Sequence, residues 1–85
     1  MTYKIIYTRN AAKALGELPD RARTAIMFRL ENLAIDPYAA TGVKKLQGSS
    51  AYRLRVGDYR VVYGLQHEEL VVVVVTVAHR RQVYR

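Results

Sequence analysis

Apolar and polar residues alternate most regularly between Ala51 and Tyr63, AYRLRVGDYRVVY, and that alternation predicts a β-hairpin. With Gly57 and Asp58 as the two loop residues, Val56 faces Tyr59, Arg55 faces Arg60, Leu54 faces Val61 and Tyr52 faces Tyr63. Successive side chains point to opposite faces of a strand. Tyr52, Leu54, Val56, Tyr59, Val61 and Tyr63 therefore make a core face, and Arg53, Arg55 and Arg60 share the other. Like charges directly opposite one another destabilise a ladder, so Arg55 against Arg60 calls for compensation. An anion held between them is the simplest form of it. None of the three arginines is needed for the core, so removing any of them is expected to leave folding intact.

Tyr3 to Tyr7 (YKIIY) reads as a first strand. Thr8 is a good N-cap for a helix from Arg9, continued by Ala11, Ala12, Lys13, Ala14 and Leu15. Leu18-Pro19 breaks it, because proline lacks the donor and disfavours helix at the residue before it. A second helix should run from about Asp20 to Ala34, with Ala22, Ile26, Leu30 and Leu33 on one stripe. Met27 and Phe28 widen that stripe and are read as core. The short link makes the pair an antiparallel αα-hairpin. Asp36-Pro37 ends the helix, and Tyr38 to Ser50, with its glycines and serines and no period, reads as a loop. Gln66 to Glu69 reads as a second turn. Leu70 to Ala78 (LVVVVVTVA) is apolar on both faces, as a central strand buried on both sides would be. With His67 and Glu68 as loop residues, Val75 would face Arg60 and Val73 would face Val62. The chain closes on His79-Arg80-Arg81-Gln82-Val83-Tyr84-Arg85.

An 85-residue chain, about half of it apolar, predicts a single globular domain over residues 1–85. There is no cysteine, no signal-peptide pattern, and no apolar run near the roughly 20 residues a membrane helix needs. The expectation is a cytoplasmic protein without disulfides or membrane contact. Fourteen Lys and Arg against seven Asp and Glu leave a net charge of +7, which favours polyanionic partners. Between Pro37 and His67 the basic residues are Lys44, Lys45, Arg53, Arg55 and Arg60, opposed only by Asp58. The charge is concentrated on the hairpin.

No carboxylate pair is set for acid–base work, and no glycine-rich loop follows a strand at phosphate-cradle spacing, so no nucleotide cofactor is expected. His67 and His79 have no cysteine or carboxylate companions at ligand spacing, so no metal is expected either. What remains is Arg53, Arg55, Arg60, Arg80 and Tyr84, with His79 nearby. Guanidinium groups suit bidentate phosphate recognition and stay charged. A tyrosine can stack on a base or act on a proton. RNA carries its own nucleophile in the 2′-hydroxyl, so such a set could cleave it without metal. Plain anion binding uses the same residues.

The chain also resembles the RelE-type toxins of the RelE/ParE toxin–antitoxin superfamily. The likeness runs through YKIIYT, the Leu-Pro break, the Leu-Ala-x-Asp-Pro helix end and Gly42 to Gly48. It is most specific in Tyr52 to Tyr63 and in His79 to Arg85. The resemblance implies an α+β fold like that of microbial ribonucleases, with two N-terminal helices on a small, mainly antiparallel sheet. It implies an mRNA interferase that cuts message in the ribosomal A site, next to 16S rRNA, leaving a 2′,3′-cyclic phosphate. It also implies a RelB-like antitoxin as partner. The family's functional positions match Arg53, Arg55, Arg60, Arg80 and Tyr84. Lys44, Lys45, Arg81 and Arg85 would extend the RNA- and ribosome-binding field. Some relatives carry lysines at the positions of Arg53 and Arg55. Arginine does not give up its proton at usable pH, so the base role falls to Tyr84, or to His79 if it turns inward. The rival readings are a ParE-like gyrase poison and an inactive basic binding module.

Overall fold

The computed structural model of the chain describes residues 2–79. Two helices pack on one face of a five-stranded sheet. In chain order the elements are β1 (Lys4–Tyr7), α1 (Arg9–Gly16), α2 (Asp20–Ile35), β2 (Val43–Lys45), β3 (Tyr52–Val56), β4 (Tyr59–Gln66) and β5 (Val71–His79). The sheet order is β1-β5-β4-β3-β2, antiparallel except where β1 runs parallel to β5. Among the described residues no helix is long and apolar enough to cross a membrane.

The local signals act as expected at the start of the chain. Thr8 caps α1 by accepting from the Ala11 amide at 3.2 Å. Its hydroxyl also donates to the Val75 carbonyl at 3.0 Å, fastening the helix start to β5. Across the Glu17-Leu18-Pro19 link, Arg23 donates to the Leu18 carbonyl at 2.9 Å and pairs with Asp20. One side chain thereby ties the end of α1 to the start of α2, where an acidic residue also suits the helix dipole.

The core is Ala11 and Leu15 from α1, Ile26, Leu30 and Leu33 from α2, and Leu54, Val56, Val61, Tyr63, Val72, Val74 and Val77 from the sheet. Fully burying one such Val or Leu contributes roughly 1.5–3 kcal/mol. All the sheet members share one face. Met27 and Phe28 do not belong to the core: they are 40% and 62% exposed. Phe28 lies two positions, or about 200°, around the helix from Ile26, which turns it to the solvent side.

Three further expectations are corrected. Within the stretch read as a loop, Val43–Lys45 forms the edge strand β2, borrowing its order from β3 through Val43 opposite Leu54 and Lys45 opposite Tyr52. The second turn spans residues 67–70, not His67 and Glu68 alone, because Gln66 pairs with Val71. A register shift between Val62 and Tyr63 then moves the ladder by one more residue, so Arg60 faces Ala78 and Val62 faces Thr76. Bulges of this kind increase twist and re-aim side chains. Finally, β5 is buried on one face only: Val72, Val74 and Val77 are buried, whereas Val75 and Thr76 are exposed. Both helices cover the same side and leave the other open.

Candidate functional site

The open side of the sheet is built outward from the hairpin. Gly57 takes φ +57° and Asp58 keeps a negative φ, the pattern of a II′ turn, whose twist matches the flanking strands. The pairing is the one the alternation implies: Val56 with Tyr59, Arg55 with Arg60, Leu54 with Val61 and Tyr52 with Tyr63. Arg53, Arg55 and Arg60 accordingly share the face opposite the helices. Lys44, across from Arg53 on β2, joins them. No residue of the five strands is acidic, so the sheet itself offers these cations no carboxylate.

The three arginines are not equivalent. Arg55 is exposed, Arg53 is half-buried and Arg60 is only 5% exposed. Arg60 Nη1 donates to the carbonyls of Gly57 at 3.1 Å and Tyr59 at 3.0 Å. Its guanidinium is thus turned back onto the hairpin loop while Arg55 meets water. The like-charge pair is relieved in part by backbone carbonyls. Arg60 is therefore tied into the hairpin itself, a part in the fold that the alternation did not suggest for any of the three arginines.

A second device holds Arg55 in place. Gly42, at φ +74°, accepts from the Arg55 amide at 2.9 Å, and Arg29 Nη2 donates to the neighbouring Thr41 carbonyl at 2.8 Å. A Cβ at Gly42 would come within 3.1 Å of Arg29 Nη2 and 3.3 Å of the Arg55 carbonyl. Arg29 and Gly42 were missed in the sequence, where the only signal is a glycine after Thr41 in a stretch without period.

Two residues are not brought to the face. His79 lies opposite Tyr59, two positions from the Val61–Val77 pair, and so belongs to the helix side. Its ring meets Tyr59 edge-on at 5.6 Å, and it lines a hollow with Ala14, Glu17 and Leu18 of the α1 end. His79 therefore does not stand beside Arg60 on the cationic face. Lys45, opposite Tyr52, also turns to the helix side, so Lys44 and Lys45 serve different faces. Arg80, Arg81, Tyr84 and Arg85 lie outside the described residues.

The described tyrosines of the hairpin, Tyr52, Tyr59 and Tyr63, sit on the helix side. Burial, with the Tyr52 phenol beside it, pushes Tyr63 up to about 12. Burial first, and then the Glu31 carboxylate, raises Tyr7 as well. Neither phenol is suited to give up its proton near neutrality. Among the described strand residues the cationic face carries no carboxylate, histidine or tyrosine, so what these residues can supply is anion binding and charge stabilisation.

Against known proteins, the family described as "ParE toxin of type II toxin-antitoxin system, parDE" matches residues 5–84. The chain is 29% identical to "Toxin RelG" of Mycobacterium tuberculosis over 86 aligned residues, covering 100% of this chain and 99% of that one. Among solved structures it is similar to the archaeal RelE-RelB complex of Pyrococcus horikoshii, at 29% identity and a TM-score of 0.82. That match covers 94% of this chain and 97% of the other. The toxin-antitoxin complex RelBE2 of Mycobacterium tuberculosis matches at 29% identity and a TM-score of 0.81, covering 94% and 100%.

Proposed function

The chain belongs to the ParE toxin family, within the RelE/ParE superfamily of type II toxin–antitoxin systems, and from that premise we propose that it is a ribosome-dependent mRNA endoribonuclease. The observation that carries this reading is the open sheet face, where the register of β2, β3 and β4 gathers Lys44, Arg53, Arg55 and Arg60 on one side. Message seated in the A site, beside 16S rRNA, would lay its scissile phosphate on that face. Arg53 and Arg55 are assigned to its oxygens, where two guanidinium groups can share the charge that grows in the transition state. Arg60 contributes field and holds the turn that sets their spacing.

In the reaction the 2′-hydroxyl loses its proton, its oxygen bonds to phosphorus, and the 5′-oxygen leaves and takes up a proton. The products are a 2′,3′-cyclic phosphate and a 5′-hydroxyl end. No described residue of the face suits the base role, which we assign to Tyr84. Arg80 is assigned to stabilise the charge on the leaving 5′-oxygen, which takes its proton from water, and Arg81, Arg85 and Lys44 to the surrounding RNA. A host that makes such an enzyme needs it neutralised. Because the two solved relatives described above are toxin–antitoxin complexes, the partner we assign is a RelB-like antitoxin in the same cytoplasm.

The family description names ParE, and the alternative reading is a ParE-like gyrase poison. Purified chain is incubated with translating ribosomes, and message 3′ ends are mapped. Cuts within A-site codons are expected. Intact message together with gyrase-linked DNA breaks would replace this reading with the alternative.

A further inference from the structure

On the helix side of the sheet, away from the arginines, Tyr38, Tyr52 and Tyr63 border a cleft of about 250 Å³ with Val43, Leu65 and Lys45. Tyr38 is 74% exposed, yet three parts of the chain hold it. Its amide donates to Asp36 Oδ1 at 3.1 Å, which fixes the loop at its root. Its hydroxyl meets His67 Nδ1 at 2.9 Å, and the two rings stack at 5.7 Å and 12°. His67 is steadied in turn by Tyr3, whose hydroxyl reaches the same Nδ1 at 3.2 Å. His67 braces Tyr38 without lining the cleft.

The second wall is braced as well. Tyr52 stacks on the fully buried Tyr63, with centroids 5.6 Å apart and planes 20° from parallel. Ordering a solvent-exposed ring costs side-chain entropy, and Tyr38 buries little in return within the chain. A held, open aromatic surface is what a stacking ligand needs, because that entropy is already lost before binding.

Charge supplies the ligand's other half. The edge strand β2 is only three residues long, and it puts Lys44 on the arginine side and Lys45 on the tyrosine side. A polyanion crossing this edge therefore meets an ammonium on each side of it. The cleft volume is below the range of pockets for drug-sized ligands, which start near 300 Å³, and suits one flat ring system.

We propose that this cleft is a second nucleotide subsite. One base of single-stranded RNA stacks against Tyr38 and Tyr52, its phosphate rests on Lys45, and the strand passes over β2 to Lys44 and Arg53. The assignment rests on the proposed action on RNA for the identity of its ligand. Stacking of this kind tolerates any base, because every base has a π-face.

The test is binding of a fluorescein-labelled hexaadenylate to the full chain, read by anisotropy without ribosomes, so that it is independent of cleavage. Tyr38→Ala should weaken affinity by about five- to a hundredfold, the range for loss of one base–aromatic stack. Tyr38→Phe should keep most of it. Lys45→Ala should reduce the salt slope of binding by about one. Thermal melts of Tyr38→Ala should match the parent, as expected for an exposed ring. No measurable binding by the parent chain overturns the proposal. So does an affinity indifferent to Tyr38→Ala, or one that falls only for the purified antitoxin, which would make the cleft a protein-binding site. A chain that binds hexaadenylate through Tyr38 yet cuts no message would keep the subsite and remove the cleavage reading. Cleavage retained with hexaadenylate binding indifferent to both substitutions would remove the subsite alone.

Discussion

Arg55 and Arg60 stand directly opposite each other across the β3–β4 ladder, and their guanidinium groups part: Arg60 turns to the Gly57 and Tyr59 carbonyls, Arg55 to solvent. One of the two is therefore a structural residue on the cationic face. Arg60→Ala should cost about 2 kcal/mol, the scale for hydrogen bonds from a charged donor. Arg55→Ala should stay within about 0.5 kcal/mol of the parent, or gain slightly as the repulsion disappears. Thermal melts of both variants check this, and equal losses would contradict it. Cleavage should fall in each.

Gly42 should not tolerate a side chain. Its positive φ alone costs a non-glycine residue roughly 1–3 kcal/mol. The added Cβ also crowds the Arg55 carbonyl, which is backbone and moves less readily than the end of Arg29. Urea unfolding of Gly42→Ala is expected to show a loss in that range. Activity should fall further than stability explains, because Arg55 hangs on the Gly42 carbonyl.

Alkali should unfold the chain through Tyr63. Its folded-state pKa of about 12 lies above the ordinary value of 10.0, so the fold favours the neutral phenol. Stability from this source is complete below pH 10 and is lost as pH rises from there to about 12. Two pKa units correspond to about 3 kcal/mol at most. Denaturant midpoints measured from pH 9 to pH 12 should fall steeply in the parent, and less in Tyr63→Phe, which keeps the ring and has no proton to lose.

Tyr84→Phe tests the assigned base. It retains the ring and removes the hydroxyl. In single-turnover cleavage on ribosomes a base role predicts a fall of about a hundredfold or more. Near-normal cleavage would reduce Tyr84 to a stacking surface.

The hairpin was legible because alternation, a Gly-Asp loop and a two-residue count all specify one register, and that register is found. The Thr8 cap and the Leu18-Pro19 break were legible for the same reason: each is a local event. What escaped the sequence depends on distant partners. β2 has three residues and no period, and it exists only because β3 offers its edge. The slip that sets Ala78, not Val75, beside Arg60 comes from a longer turn and a bulge, and a run of five valines carries no mark of either. The burial of Arg60 follows from carbonyls that exist only once the turn has formed. His79 looked like a neighbour of the arginines, but strand parity sends it to the far side.

The parallel pairing of β1 with β5 has a consequence for how the protein is made. β5 lies between β1 and β4 and supplies Val72, Val74 and Val77 to the core, yet among the described elements it comes last in chain order. β1 has no strand partner until β5 has been synthesised, and their contact joins residues 67 positions apart, Lys4 with Val71. Such long-range closure is slow, because its entropy is lost before the contacts form. A nascent chain therefore holds a ready hairpin with its cationic residues in place, but lacks the strand that seals the core beneath it. The cationic hairpin is therefore backed by a finished core only once β5 has emerged and closed on β1, and until then it stands without the strand beneath it.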